Sequence, residues 1–246
     1  MKNNRISNLN SPLSTLIEKI GKGGIRLRGD RIPAKVLSAR IIPRVDIGLR
    51  ERLKLDKSIQ SLGLITCDSD DVGYTALDEA TKKANVSVCY AQSMYAGAAN
   101  ANTALAGEFL GILAGPAPDD VESGMAAAMH MIEHEASFYS ANDDDSVVYY
   151  AHCISRTGAY LSAQCGIQAG SPLAYLIAPP LESVYALDKA LKAAQVRIVD
   201  FYGPPSPTNF GGGLLTGSQA DCRAACEAFA RAVADVASRP IALTQY

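Results

Sequence analysis

Apolar residues recur along this chain with two different periods, and the switches between them outline the elements. "SLGLIT" from Ser61 and "LAYLIA" from Leu173 are apolar runs of strand length. Behind each comes a helical period, with Leu77, Ala80 and Ala84 on one face of "ALDEATKKANVSV" and Leu187, Ala190 and Ala194 on one face of "ALDKALKAAQVRI". These two segments begin at Ala76 and Ala186, a constant offset of 110, and seven of their thirteen positions are identical. A β-prone stretch follows each. Further on, "FLGILAGP" ending at Pro116 resembles "GGLLTGSQ" ending at Gln219, with Gly115 and Gly217 in register. Both lead into Ala-rich helices, predicted over Pro118 to about Ala136 and Ser218 to about Ala237.

One more strand candidate precedes each repeat, "AKVLSARII" and "SVVYYAHCI". The chain therefore reads as an internal duplication. Each half has an extra leading strand and then strand, helix, strand, strand, helix. The fold class is α/β, in an α+β sandwich-like form, with two compact domains joined near "ANDDDS" at residues 141–146. Residues 1–34 form an extension, 35–144 the first domain and 145–246 the second.

Composition narrows the function classes. A net charge of −2 gives no general attraction to nucleic acid or an anionic membrane. No apolar run is long enough to span a bilayer, and no signal-peptide pattern stands at the start. The six cysteines contain no C-x-x-C pair, so reduced thiols in a cytoplasmic, soluble protein are expected. Cys222 and Cys226, four apart on a predicted helix, suit small core packing better than a metal site.

The sharpest catalytic motif is His130-x-x-Glu133-His134, which has the spacing of a zinc-protease helix. Aligning Gly115 with Gly217 sets these residues opposite Ala232, Asp235 and Val236, so the twin helix manages without histidine. Such a site also needs a further acidic ligand downstream, and no glutamate lies between Glu182 and Glu227. A zinc hydrolase is thus the lesser reading, and surface histidines near a helix C-terminus the better one. No other nucleophilic constellation replaces it. His152 has no assignable partner, and Gly211-Gly212-Gly213 lacks the Gly-Lys-Ser/Thr of a phosphate loop. Neither a catalytic residue nor a required cofactor or metal is expected.

Carboxylates carry the remaining signal. "TCDSDDVGY" packs Asp68, Asp70 and Asp71 into one turn, more than a helix start requires, and the twin segment "APPLESVY" has only Glu182. In "ALAGEFLGIL" a strand would set Glu108 on one face with Ala106, Leu110 and Ile112, where a carboxylate needs a partner or a wet cavity. A cation-binding pocket and a structural salt bridge both satisfy this pattern.

"SLGLITCDSDDVGYTALDEATKKA", "YAGAANANTALAGE", "SRTGAYLS", "YLIAPPLE" and "PPSPTNFGGGLLTGSQ" closely resemble the EutL family over about residues 36–240, in order and nearly without gaps. These are tandem-domain shell proteins of the ethanolamine-utilisation bacterial microcompartment. The resemblance implies two circularly permuted microcompartment domains per chain. Three chains would form a pseudohexameric homotrimer that tiles into the shell with other shell proteins. It also implies a small pore in each subunit that binds ethanolamine, matched here by Asp70, Asp71 and Glu108. Further ligand contacts match Phe138, Thr208, Asn209 and Phe210, the last a Phe where the family usually has Tyr. Some members bind cobalamin, so a small-molecule sensing role is the alternative. The basic extension departs from the family. Within it "SPLSTLIEKIGKGG" places Leu13, Leu16, Ile17 and Ile20 on one helical face, which fits either a disordered tail or a helix that docks cargo.

Overall fold

The computed structural model describes residues 29–95 and 103–243. In chain order the first half contains β1 (Arg31–Pro33), β2 (Val36–Ile42), α1 (Ile47–Arg52), β3 (Ser61–Cys67), α2 (Asp70–Lys83), β4 (Ser87–Ser93), β5 (Phe109–Gly115), α3 (Pro118–His130), a π-helical turn (Met131–Glu135) and β6 (Ser137–Ser140). The second contains β7 (Val148–Ile154), α4 (Ala159–Cys165), β8 (Leu173–Ala178), α5 (Pro180–Ala193), β9 (Val196–Tyr202), β10 (Gly211–Gly217) and α6 (Gln219–Ser238).

The duplication read from the sequence is present in the topology. One antiparallel sheet runs β2-β3-β5-β4, and the other contains the same order as β7-β8-β10-β9. Even an irregularity repeats: the ladder skips Cys89 between Val88 and Tyr90, and skips Val199 between Ile198 and Asp200. Those two residues are 110 apart, the offset of the sequence repeat. Such an insertion increases local twist, so the matching pair gives both third strands the same bend.

The strands do not divide at a single point of the chain. β1 pairs with β6, and β6 pairs with β7 through Tyr139 and Tyr149, so both extend the six-stranded sheet of the second half. The end of the basic extension is thereby part of a sheet, while the amphipathic segment at 11–24 lies outside the described residues.

A helix pair packs on each sheet, α2 with α3 and α5 with α6. β8 is buried at all six positions because both of its faces are covered. Ala174, Leu176 and Ala178 enter the core beneath α5 and α6. Tyr175 and Ile177 point the other way, into a core shared with Phe109, Val72 and Leu77 of the first half. Alternation of a strand explains how one segment serves both cores. Cys222 and Cys226 are buried in the second core, with free thiols.

One helix end differs from expectation. α6 runs unbroken to Ser238, whereas α3 stops at His130 and the π-helical turn carries the chain to Glu135. His130 and His134 are exposed there, with ring centroids 4.9 Å apart, and they lie beside Glu135 and Glu133. Among the described residues no group of three or more His, Cys, Asp or Glu side chains is arranged to hold a metal ion, and no helix is long and apolar enough to cross a membrane.

Candidate functional site

The carboxylate cluster gathers where α2 begins. Ser69 is the N-cap residue, although its hydroxyl is buried without a hydrogen-bond partner among the described residues. Asp70 and Asp71 occupy the first turn, where the positive end of the helix dipole favours negative charge. Asp68 sits outside the helix and accepts the backbone N–H of Lys35 at 2.7 Å. The three acids therefore have different tasks, and only two of them turn inward.

Asp70 is 6% exposed and Asp71 7%. Asp70 accepts the backbone N–H of Asp71 at 2.9 Å and a long hydrogen bond from the Thr208 hydroxyl at 3.5 Å. Asp71 accepts the Tyr175 hydroxyl at 2.8 Å. Burial pushes both carboxyls above their ordinary range, and at Asp71 the neighbouring Asp70 adds to the effect. No ion pair reaches Asp70, Asp71 or Glu108 among the described residues. Two nearly buried acids without a cation make a site that gains from receiving one.

Glu108 is not on a strand face as the alternation predicts. It belongs to the turn before β5, which starts at Phe109, and its N–H donates to the Cys67 carbonyl at 3.0 Å. Gly107 makes that turn feasible. Its φ is +63°, and a Cβ there would lie 2.1 Å from the Cys67 carbonyl oxygen. The turn brings the half-buried Glu108 carboxyl towards Asp70. Burial, then the charges of Asp70 and Asp68, push it up to about 7.

A cavity of about 460 Å³ opens beside the acids, lined by Asp70, Asp71, Ser93, Tyr175 and Thr208 among others. Of the seven residues singled out by the resemblance, Asp70, Asp71 and Thr208 line it directly. Phe138 and Phe210 stand outside the lining, edge to face with centroids 5.7 Å apart, and Phe138 also packs on Tyr150. Asn209 is exposed, at a left-handed turn position with φ +64°.

Sequence reasoning missed the aromatic and amide part of the wall: Tyr74, Tyr160, Gln164, Tyr175 and Tyr202. They come from α2, α4, β8 and β9, and no local pattern joins them. One signal was available, since Tyr175 interrupts the small and branched residues of "LAYLIA" with a hydroxyl that needs a partner. His152 stays apart from the cavity lining. Its ring lies against Tyr150 with an interplanar angle of 11°, and burial followed by the nearby Lys82 charge lowers its pKa to about 4.

Comparison with known proteins agrees with this architecture. Residues 61–142 match the family described as BMC domain. The chain is 58% identical over 215 residues to the bacterial microcompartment shell protein EutL of Clostridium perfringens, covering 87% of this chain and 99% of that protein. The crystal structure of ethanolamine utilization protein EutL from Leptotrichia buccalis superposes with a TM-score of 0.85 at 64% identity, over 88% of this chain and all of that one. A trimeric bacterial microcompartment shell protein, PduB, shares the fold with a TM-score of 0.66 at 22% identity, over 88% and 92% of the two chains. With the duplicated topology and a relative this similar across nearly its whole length, the chain belongs to the EutL family of bacterial microcompartment shell proteins.

Proposed function

We propose that this shell protein binds a small protonated amine, ethanolamine, in the acidic cavity of each subunit and that the cavity forms part of a path through the shell. The observation that carries this reading is the pair Asp70 and Asp71, almost fully buried, facing a cavity and lacking an ion pair among the described residues. Charge-assisted hydrogen bonds from an ammonium would satisfy them, and the Thr208 and Ser93 hydroxyls would serve the ligand's own hydroxyl. Glu108 contributes field rather than contact. The name ethanolamine utilization protein, carried by the Leptotrichia relative, supports the choice of amine.

Calorimetry with ethanolamine tests it. Asp71→Asn is expected to weaken binding by about 1–3 kcal/mol, the scale of a charged hydrogen bond. Glu108→Gln is expected to cost under about 1 kcal/mol, because it acts across a half-exposed gap. Equal affinities for wild type and both variants would mean that the acids are structural.

In this reading three chains assemble as a pseudohexameric trimer in a cytoplasmic microcompartment, alongside other shell proteins. The doubled domain and the trimeric PduB neighbour support that count. Light scattering reads it directly, at three times the 25.9 kDa chain. The role is structural and not catalytic. The basic, amphipathic stretch in residues 1–34 is proposed to hold cargo.

A further inference from the structure

We infer that the cavity takes alkylated ammonium ions, in which methyl groups surround the nitrogen, and not only a primary amine. The inference rests on the reading of the cavity as a cation site and names a wider ligand class for it.

Four tyrosine rings share the wall with Asp70 and Asp71: Tyr74 from α2, Tyr160 from α4, Tyr175 from β8 and Tyr202 from β9. A primary ammonium does not need them. Its three N–H groups are satisfied by oxygens, and the four oxygens of two carboxylates already exceed that number. An alkylated ammonium has few N–H groups or none, sheds water readily, and is attracted to ring faces. Several rings around one anionic pair form the environment such an ion requires.

Three of the four phenol groups are held by their edges. Tyr74 and Ser93 hydroxyls are 3.0 Å apart, Tyr175 donates to Asp71 at 2.8 Å, and Tyr202 accepts from the Gln164 amide at 2.7 Å. Bonds at the hydroxyl fix ring orientation without occupying a ring face. The rings also come as two pairs, Tyr74 with Tyr160 and Tyr175 with Tyr202, each with centroids 6.4 Å apart. Size presents no obstacle. The cavity of about 460 Å³ is many times the ~30 Å³ share of a water molecule in the liquid.

The test is calorimetry with ethanolamine, choline and tetramethylammonium on the full chain, wild type and two variants at Tyr160. Tyr160→Leu removes one ring, and Tyr160→Phe keeps the ring without the hydroxyl. Wild type is expected to bind all three cations. The leucine variant is expected to lose about tenfold in affinity for the two methylated ions, the scale of one desolvated cation–π contact, and to lose less for ethanolamine. Phenylalanine is expected to restore the loss. Melting temperatures of all three proteins identify a variant that has merely unfolded, and wild-type binding of the two methylated ions against ethanolamine then carries the test. If ethanolamine binds and neither methylated ion does, this inference is overturned and the amine reading stands. If tetramethylammonium binds wild type and the leucine variant equally, the rings do not recognise the cation and the inference is also overturned. No binding of any of the three would remove the amine reading and this inference together.

Discussion

The carboxylate of Asp78, on α2, accepts the backbone N–H of Gly158 at 2.7 Å, and its second oxygen accepts that of Leu161 at 2.9 Å. A buried side chain of the first half thus caps the helix that opens the second, 80 residues further along the chain. The same side of α2 continues the junction. Asp71 meets Tyr175, Thr75 meets the Tyr150 hydroxyl at 2.8 Å, Thr81 accepts from the Ala159 N–H at 3.0 Å, and Lys82 donates to the Arg156 carbonyl at 3.1 Å. Positions 71, 75, 78 and 82 recur at helical spacing, so one polar stripe joins the halves.

Removing the Asp78 cap should therefore destabilise the whole molecule. Asp78→Ala leaves two buried N–H groups unsatisfied and is expected to cost about 2–4 kcal/mol. Asp78→Asn, which keeps one acceptor, is expected to cost less. Gly158→Ala tests the same contact from the other side, since its Cβ would lie 2.3 Å from the Thr81 hydroxyl oxygen and 2.4 Å from the Asp78 carbonyl oxygen. Urea unfolding measures all three. Wild-type stability in the alanine variant at 78 would show that the junction holds without its cap.

Tyr175→Phe is expected to act on both stability and binding. It deletes a side-chain hydrogen bond that favours the charged form of Asp71, and should lower stability by about 1 kcal/mol. Ethanolamine affinity should fall severalfold at neutral pH and recover as pH is raised, because Asp71 then ionises despite the lost donor. Calorimetry at two pH values checks the recovery, and a pH-independent loss would point to misplacement of the ring instead.

Glu108 makes stability depend on pH. Its carboxyl titrates at about 7 when folded against 4.5 ordinarily, so the native state binds the proton more tightly. Its favourable contribution is complete below about pH 4.5 and is lost as pH rises towards 7. At a half-exposed group screening limits this to about 1 kcal/mol. The melting temperature of wild type should fall between pH 5 and pH 8 more steeply than that of Glu108→Gln. Asp70 and Asp71 act in the same direction, so the variant reduces the slope without abolishing it.

His130 and His134 should be dispensable. Both are exposed where α3 passes into the π-helical turn, beside Glu135 and Glu133 and against each other. The double change to Ala and Val, the residues at the matching positions of α6, is expected to leave stability within about 0.5 kcal/mol. Assembly state and ethanolamine affinity should also be unchanged. A hydrolytic activity lost with the histidines would contradict the shell reading.

Truncation should separate two parts of the extension. Deletion of residues 1–28 leaves β1 in place and is expected to preserve fold and assembly while weakening cargo retention. Deletion of 1–34 also removes the β1–β6 pairing and the 3.0 Å hydrogen bond from Arg31 Nε to Ser137. That should lower the melting temperature and expose the edge of β6. Identical melting for both truncations would make β1 an ornament of the sheet.

The local elements were legible in the sequence because their causes are local. The 3.6-residue period behind Ala76 and Ala186, the apolar runs at Ser61 and Leu173, and the Gly115/Gly217 register are all written within a few residues. The repeat then set the chain order of four strands and two long helices in each half, but not β1 and β6, which extend one sheet to six strands. Asp70 and Asp71 stood out for the same reason, as an excess of charge over what one helix start requires. The π-helical turn at Met131 was not legible, because the matching residues Val233 to Ala237 continue an ordinary helix. Glu108 was misplaced by one residue of strand boundary, which a single left-handed glycine at 107 decided. The walls of the cavity lay beyond any reading of periodicity. Asp71 and Tyr175 are 104 residues apart, and they meet only because β8 is covered on both faces, with α2 crossing the one that its own helices leave open. Which side of a strand faces which half is a matter of packing between distant surfaces, and only the tertiary structure settles it.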